Sequence, residues 1–400
     1  MKRVAITGLG AVSPTGLDAP STWDAVKEGR SAIGPLQIER QDLVTCPVAA
    51  QVKAFDPANY FTTKQITPLD RFSQFAVVAA REALADCGID PESDAVRMAP
   101  AIVGTGGGGL ETFDNSFWRV YGENSRRIHP FTVPRLMCSA AASQVSMNLG
   151  LHGMAYAVSS ACASGTHAIG QAFALIRSGV SRMAFAGGSE ACMTTGNLVA
   201  WEALRVLSND TCRPFSKNRS GLVLGEGGAM LVLEEWDHAV ERGARIYAEV
   251  LGFGTNSDAG DLTSPDPEYV ELAMAMAIRD AGLTPGQVGY VNAHGTGTAM
   301  NDAVESAAIR AVFEGAPPPV SSTKGVLGHS LGATGAMEAL LTAMALHEQV
   351  MPPTAHCTEP DTALGIDMIP EGARKQEFSA ALSNSFAFGG LNAVLLMGRA

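Results

Sequence analysis

Cys162 stands alone among small residues in Ser159-Ser160-Ala161-Cys162-Ala163-Ser164-Gly165, with a strand-like run before it and a helix-like run after it. Met154 to Val158 reads as a short buried strand. Thr166 to Arg177 spaces Ile169, Ala172, Phe173, Leu175 and Ile176 at helical intervals. Cys162 is thereby predicted at a helix N-terminus, where unpaired N–H groups and the positive end of the helix dipole favour an anion. A thiol placed there ionises more readily and is a better nucleophile. The competing reading is a buried structural cysteine, the commoner fate of a free one.

Three further motifs, each ending a predicted strand, carry groups that a nucleophile needs. Tyr290-Val291-Asn292 leads into Ala293-His294-Gly295-Thr296-Gly297-Thr298, followed by Asn301, Asp302 and Glu305. A histidine just past a strand end faces the crevice where open α/β sheets place ligands, unless the backbone of a tight turn satisfies it. Val320 to Ser322 leads through Lys324 to His329, and a helix is predicted to begin near Ser330 to Gly335. An imidazole near a helix N-terminus is discouraged from protonating, so it keeps one donor and one acceptor nitrogen. Lys324 would be a costly buried charge unless paired, and Glu305 is the predicted partner. Finally, Leu382 to Asn392 places Phe386, Phe388, Gly389 and Gly390 in a turn. Such a loop can move, and it can aim backbone N–H groups at an oxyanion.

These groups need a scaffold of alternating strands and helices. Short β-rich runs recur at Val4 to Thr7, Ala101 to Gly104, Ala155 to Val158, Met183 to Ala186, Ala229 to Leu233, Ala248 to Leu251, Tyr290 to Asn292, Val320 to Ser322, Ala380 to Ser383 and Ala393 to Met397. Helix-like stretches rich in Ala, Leu and Met lie between many of them, which indicates an α/β protein. The ten runs divide evenly about a polar joint at Glu241 to Arg245. Two similar halves follow: residues 1–245 with the cysteine, and residues 246–400 with both histidines. The letters alone show no convincing repeat.

With 46% hydrophobic and 17% charged residues among 400, the chain is expected to bury a large core. A net charge of −12 argues against a nucleic-acid partner, whose phosphates need a basic surface. Seven scattered cysteines with no C-x-x-C pair point to neither a zinc site nor a disulfide framework, and no metal is expected. The first residues resemble a strand entering a glycine turn rather than a cleavable leader, and no window is apolar enough to span a bilayer. A cytoplasmic protein is expected.

Two motifs suggest other chemistry. Gly328-His329-Ser330-Leu331-Gly332 fits the G-x-S-x-G nucleophile elbow, with Asp361 downstream as an acid. No histidine follows Asp361, as that order of triad requires. Gly104 to Gly109 matches G-x-G-x-x-G after a strand but lacks a clear acidic partner at the end of a second strand.

Taken together, the chain resembles an elongating β-ketoacyl-[acyl-carrier-protein] synthase. The matching segments are Val4 to Gly10, Ser160 to Gly165, Ala186 to Glu190, Arg213-Pro214-Phe215, Asn292 to Thr298, Lys324 to His329 and Asn384 to Gly390, in the family's order across essentially the whole chain. The resemblance implies a thiolase-like, duplicated, five-layered α/β/α/β/α fold, no cofactor, acyl carrier protein as partner, and a homodimer or a heterodimer with a related chain-length-factor subunit. It also implies that Cys162 carries the acyl group, that His294 and His329 promote decarboxylation of a malonyl thioester, and that the backbone N–H groups of Cys162 and Phe388 form an oxyanion hole. Thr296 and Thr298 would bind the phosphopantetheine arm, Lys324 with Glu305 would be the supporting ion pair, and Phe386 with Phe388 the gate. The Cys, His, His set distinguishes elongation from thiolase and priming chemistry, and argues against a non-catalytic chain-length factor.

Several pocket positions depart from the family pattern. Gly107 stands where a bulky aliphatic residue often closes the acyl tunnel, so its missing side chain is expected to open room. Trp201 and Leu222 replace expected phenylalanines, and Ala387 and Leu391 replace a glycine and a threonine of the gate. Lys64, Arg126, Arg127 and Arg205 are the candidate contacts for an acidic carrier protein, where they would act chiefly on encounter rate.

Overall fold

A computed structural model describes residues Met1–Ala400. Its main sheet has ten strands: β1 (Val4–Val12), β2 (Ala101–Gly104), β3 (Ala155–Val158), β4 (Met183–Glu190), β5 (Gly227–Glu235), β6 (Ala248–Ser257), β7 (Tyr290–Asn292), β8 (Val320–Ser321), β9 (Ala380–Ala387) and β10 (Leu391–Gly398). They lie in the order β8-β7-β9-β10-β6-β1-β5-β4-β2-β3. Read outward from the centre, β1-β5-β4-β2-β3 and β6-β10-β9-β7-β8 are one pattern written twice. The senses of pairing agree as well: β2 is parallel to β3 and β4 as β7 is to β8 and β9, and the remaining neighbours are antiparallel. The two sets join where Val4–Ile6 pairs with Ala248–Val250.

Five helices complete the layers: α1 (Arg71–Cys87), α2 (Ser164–Arg177), α3 (Pro267–Asp280), α4 (Ala299–Val312) and α5 (Thr334–Glu348). The outer helix α1 covers β1 and β5, and α3 covers β6 and β10, with α4 packed on α3. Helices α2 and α5 lie together in the middle, against β4 and β2 and against β5 and β9 respectively. The result is the expected α/β/α/β/α stack. Apolar spacing suits each helix to its layer: α5 is buried continuously from Thr334 to Ala343, as a helix walled on every side must be.

Caps set the helix starts. Asp70 accepts the Phe72 N–H of α1, Asp266 precedes Pro267 at the start of α3, and Thr298 accepts the Asn301 N–H of α4. At α2 no side chain caps the first turn. That end follows Cys162.

One sequence expectation needs correcting here. Ala155–Val158 is not a buried strand but the outer edge of the sheet, with its side chains half-buried or exposed. A short apolar run does not by itself distinguish a central strand from an edge strand. No helix is long and apolar enough to cross a membrane.

Candidate active site

Cys162 follows β3, and the backbone before it is unusual: Ala161 has φ 49°, a left-handed conformation that costs a non-glycine residue energy. Ser164 holds the turn, its hydroxyl accepting the Ser160 N–H at 2.9 Å and donating to the Ala161 carbonyl at 2.6 Å. His167 braces it from α2, one ring nitrogen 2.8 Å from Ser160 Oγ and the other 2.8 Å from Thr255 Oγ1 on β6. The sulfur is thus presented at the uncapped start of α2, with the backbone N–H groups of Cys162 and Phe388 in hydrogen-bonding reach of it.

His329 comes from the corresponding place in the other half, after β8, and its Nε2 lies 3.1 Å from Cys162 Sγ. Its Nδ1 meets Thr334 Oγ1 at 2.9 Å, which fixes the ring plane. The His294 ring stands edge-on to His329 with centroids 5.4 Å apart, and edge-on to Phe386 at 6.2 Å. His294 and His329 are each 2% exposed.

Burial dominates the electrostatics. It pushes the Cys162 thiol up to about 12, against the pull of Lys324. It holds both imidazoles well below the usual histidine range, and the positive charge of Lys324 lowers them further. The expectation of a readily ionised thiol is therefore corrected for the resting site. Desolvation disfavours both the thiolate and the imidazolium forms in the buried site.

Lys324 does not pair with Glu305. Its ammonium meets Glu338 Oε1 on α5 at 2.5 Å and donates to the His294 carbonyl oxygen. Glu305 instead accepts the backbone N–H groups of His294 at 2.8 Å and Gly295 at 2.7 Å, and the Asn384 amide at 3.1 Å. It is a clamp on the histidine turn rather than a counter-ion. Glu338 was legible as a lone acid inside an otherwise apolar helix, Thr334 to Leu346.

A cavity of about 210 Å³ opens on this group, lined by Cys162, His329, Phe386, Phe388, Trp201 and Leu222 among others. Thr296 and Thr298 also face it, their hydroxyls 2.9 Å apart. His294 does not line it, but its ring packs edge-on against His329 and Phe386, which do. Trp201 stacks on Phe388 with centroids 5.9 Å apart and planes at 21°, a contact that sequence reasoning missed. Gly389 and Gly390 beyond Phe388 have φ of 85° and 68°, and the Gly389 N–H reaches the Leu262 carbonyl at 2.8 Å. Glycine suits this turn because its backbone is left-handed.

Gly107 leaves no room. A methyl built there would lie 2.6 Å from Leu110, whose side chain already fills the space, and Gly107 does not line the cavity. Arg205 is exposed at the cavity rim, between Leu204 and Val206, which line it. Lys64, Arg126 and Arg127 are exposed elsewhere and do not border it. Ser330 makes no hydrogen bond to a histidine and Asp361 is held by Arg219 at 2.8 Å, so no serine triad exists. The glycine cradle at Gly106 and Gly107 is already occupied, by the carboxylate of Glu190.

Residues 1–239 match the family described as Beta-ketoacyl synthase, N-terminal domain, and residues 247–358 match Beta-ketoacyl synthase, C-terminal domain. The chain belongs to the β-ketoacyl synthase family. Within it, the chain is 47% identical over 397 residues to Nodulation protein E of Rhizobium sp. (strain N33), covering 98% of each. It is 40% identical over 404 residues to 3-oxoacyl-[acyl-carrier-protein] synthase 2 of Staphylococcus aureus (strain COL), covering 99% of this chain and 98% of that one. Among solved structures, the ishigamide ketosynthase/chain length factor superposes with a TM-score of 0.95 at 32% identity, covering 100% of this chain and 99% of that one.

Proposed function

We propose that the chain performs a decarboxylative Claisen condensation, joining an acyl group held on Cys162 to a malonyl thioester on acyl carrier protein and yielding the 3-oxoacyl-carrier product of fatty-acid or polyketide chain elongation. The observation that carries this reading is the 3.1 Å contact between Cys162 Sγ and His329 Nε2, with His294 packed behind His329. Family membership and the Staphylococcus relative agree with it.

In the first half-reaction the Cys162 sulfur attacks the acyl thioester carbonyl. The new S–C bond replaces the old one, the Cys162 proton leaves with the carrier thiol, and the N–H groups of Cys162 and Phe388 meet the transient oxyanion. In the second, the malonyl carboxyl C–C bond breaks and carbon dioxide departs. The electron pair becomes an enolate whose oxygen the two imidazoles stabilise. The enolate carbon then attacks the Cys162 thioester, and the thiolate leaves to be reprotonated. Lys324 keeps the imidazoles neutral and Glu305 fixes the turn that bears His294. These steps require no metal or other cofactor.

Thr296 and Thr298 are the proposed anchors for the phosphopantetheine arm, and Arg205, with Lys64, Arg126 and Arg127, for the carrier protein. We further propose a dimer, with a second copy or a related ketosynthase subunit, acting in the cytoplasm. The unpaired edge of β3 and the exposed Phe113, Phe117, Tyr121, Met147 and Met154 support such a partner. Halves at 1–245 and 246–400 accord with the repeated strand order. Intact-protein mass of acyl-Cys162, followed by release of the 3-oxoacyl product on adding malonyl-carrier protein, tests the mechanism. Cys162→Ala should neither load nor condense; a variant that still condenses defeats the reading.

A further inference from the structure

Glu190 ends β4 and is fully buried, yet no cation reaches it. Its Oε1 accepts Thr105 Oγ1 and the Gly107 N–H, each at 3.1 Å. Its Oε2 accepts the Gly106 N–H at 2.6 Å and the Gly332 N–H at 3.0 Å. Three of these donors belong to the turn after β2 in the first half; the fourth lies in the second half, three residues past His329. One carboxylate therefore bridges the halves beside the nucleophile.

The seam that it bridges has no slack. A methyl at Gly332 would lie 2.2 Å from the Gly106 nitrogen, and one at Gly188 would lie 2.7 Å from the Gly332 carbonyl oxygen. Leu331, beside Gly332, holds φ 46°, a conformation that persists only where neighbouring contacts impose it. Two residues on, Thr334 supplies the hydroxyl that sets the His329 ring. The His329 backbone is tied on its other side by Val223 and Gly225. Glu190 thus adds a hydrogen-bonded tie between the halves on the flank of this histidine where the glycine seam packs.

Burial pushes this carboxyl up to about 7, and its backbone donors pull it back down. A buried acid without a cation is costly, so a hydrophobic residue would serve better if packing were its only task.

We propose that Glu190 is a positioning residue for decarboxylation, holding Gly332 against the 105–107 turn so that Thr334 keeps the His329 imidazole aligned with the malonyl thioester. This rests on the condensation reading, and its test separates the two half-reactions. Glu190→Gln keeps the length and shape but turns an amide N–H₂ toward N–H donors, which must part. Carbon dioxide release from malonyl-carrier protein should fall about tenfold or more, since small misplacements of a catalytic group cost up to about 100-fold. Acyl loading of Cys162, read by intact mass, should not fall by more than about threefold, because its oxyanion donors lie elsewhere and the Glu190 charge that hinders thiol ionisation is gone. Unchanged decarboxylation, or an equal fall in both half-reactions, overturns the proposal. Should Glu190→Gln not fold, Thr105→Val decides. It removes one of four donors and should selectively slow decarboxylation by about threefold, roughly the value of one modest hydrogen bond; no selective loss overturns the proposal. Wild-type protein inert in both half-reactions would instead defeat the condensation reading itself.

Discussion

Replacing Trp201 with alanine should loosen the gate and change which acyl groups load. The Trp201 ring lies on Phe388, and both line the cavity that contains Cys162. Phe388 begins a turn whose next two residues are left-handed glycines; backbone hydrogen bonds tie the turn at Gly389 and Gly390, and the stack on Trp201 is the aromatic contact that seats the Phe388 ring. An aromatic pair of this kind contributes about 1 kcal/mol beyond its buried area. Losing it shifts the balance between seated and displaced Phe388 by about fivefold. The vacated indole volume also adjoins a cavity of only about 210 Å³. Each further methylene buried there is worth about 0.8 kcal/mol, or about fourfold in loading. Trp201→Ala should therefore load the acyl group preferred by wild type up to about fivefold less well, and gain about fourfold per added methylene on longer chains until the space is filled. Trp201→Phe keeps a ring on Phe388 and should stay near wild type. The assay is competition among acyl-carrier substrates of graded length, read as the mass of acyl-Cys162. A Trp201→Ala protein that loads the same chains in the same order and at the same rates refutes both the gating and the volume argument.

Lys324→Met should move the acid limb of the condensation pH profile upward. Burial still holds both imidazoles down, but the positive charge that lowers them further is gone, so His294 and His329 protonate, and activity fails, at a higher pH as pH falls. Glu338→Gln should destabilise the protein by about 3 kcal/mol in urea unfolding, because it leaves a buried ammonium without its counter-charge. Glu305→Gln should cost less, about 1–2 kcal/mol, for impaired backbone hydrogen bonds; the reverse order would refute the assignment of Glu338 as the ion-pair partner. Leu110→Ala should broaden acyl loading at a stability cost of about 2 kcal/mol, by opening space within the apolar cluster that Leu110 shares with Cys162 and Leu222.

All ten sheet strands were legible as short apolar runs, but their lengths were not. Met183 to Ala186 reads as a strand that stops before Gly187-Gly188, whereas β4 runs on to Glu190. Glycine is poor in strands by propensity, yet here a methyl at Gly187 would lie 2.0 Å from the Ala229 carbonyl oxygen, so close backbone approach demands it. The reactive trio was legible because each member follows a strand in a small-residue turn. Its supports were less so, because they arrive from distant elements: His167 and Thr255 reach the turn from α2 and β6, and Trp201, expected beside the pocket, turns out to stack on Phe388. Sequence reasoning chose Glu305 for Lys324, although Glu338 is also the nearer of the two along the chain. The helix carrying Glu338 passes closer in space.

The repeated strand order explains why the trio converges at all. Cys162 follows β3, the outermost strand of one half, and Lys324 and His329 follow β8, its counterpart in the other; Gly104 to Gly109 and His294 likewise follow β2 and β7. The middle helices α2 and α5 begin just after the cysteine and the second histidine, and their first turns touch, with a methyl at Gly165 only 2.6 Å from the Ala336 nitrogen. Two corresponding helix starts thus face one another across the join, and each supplies what its partner lacks: a sulfur at one, an imidazole at the other. The repeated fold has two corresponding crevices, with the nucleophile after the outer strand of one half and the imidazoles in the other. Their separation is then set by glycine contacts between helices rather than by any flexible loop. Bulk added at Gly165 should therefore separate Cys162 from His329 even though residue 165 touches neither substrate nor imidazole.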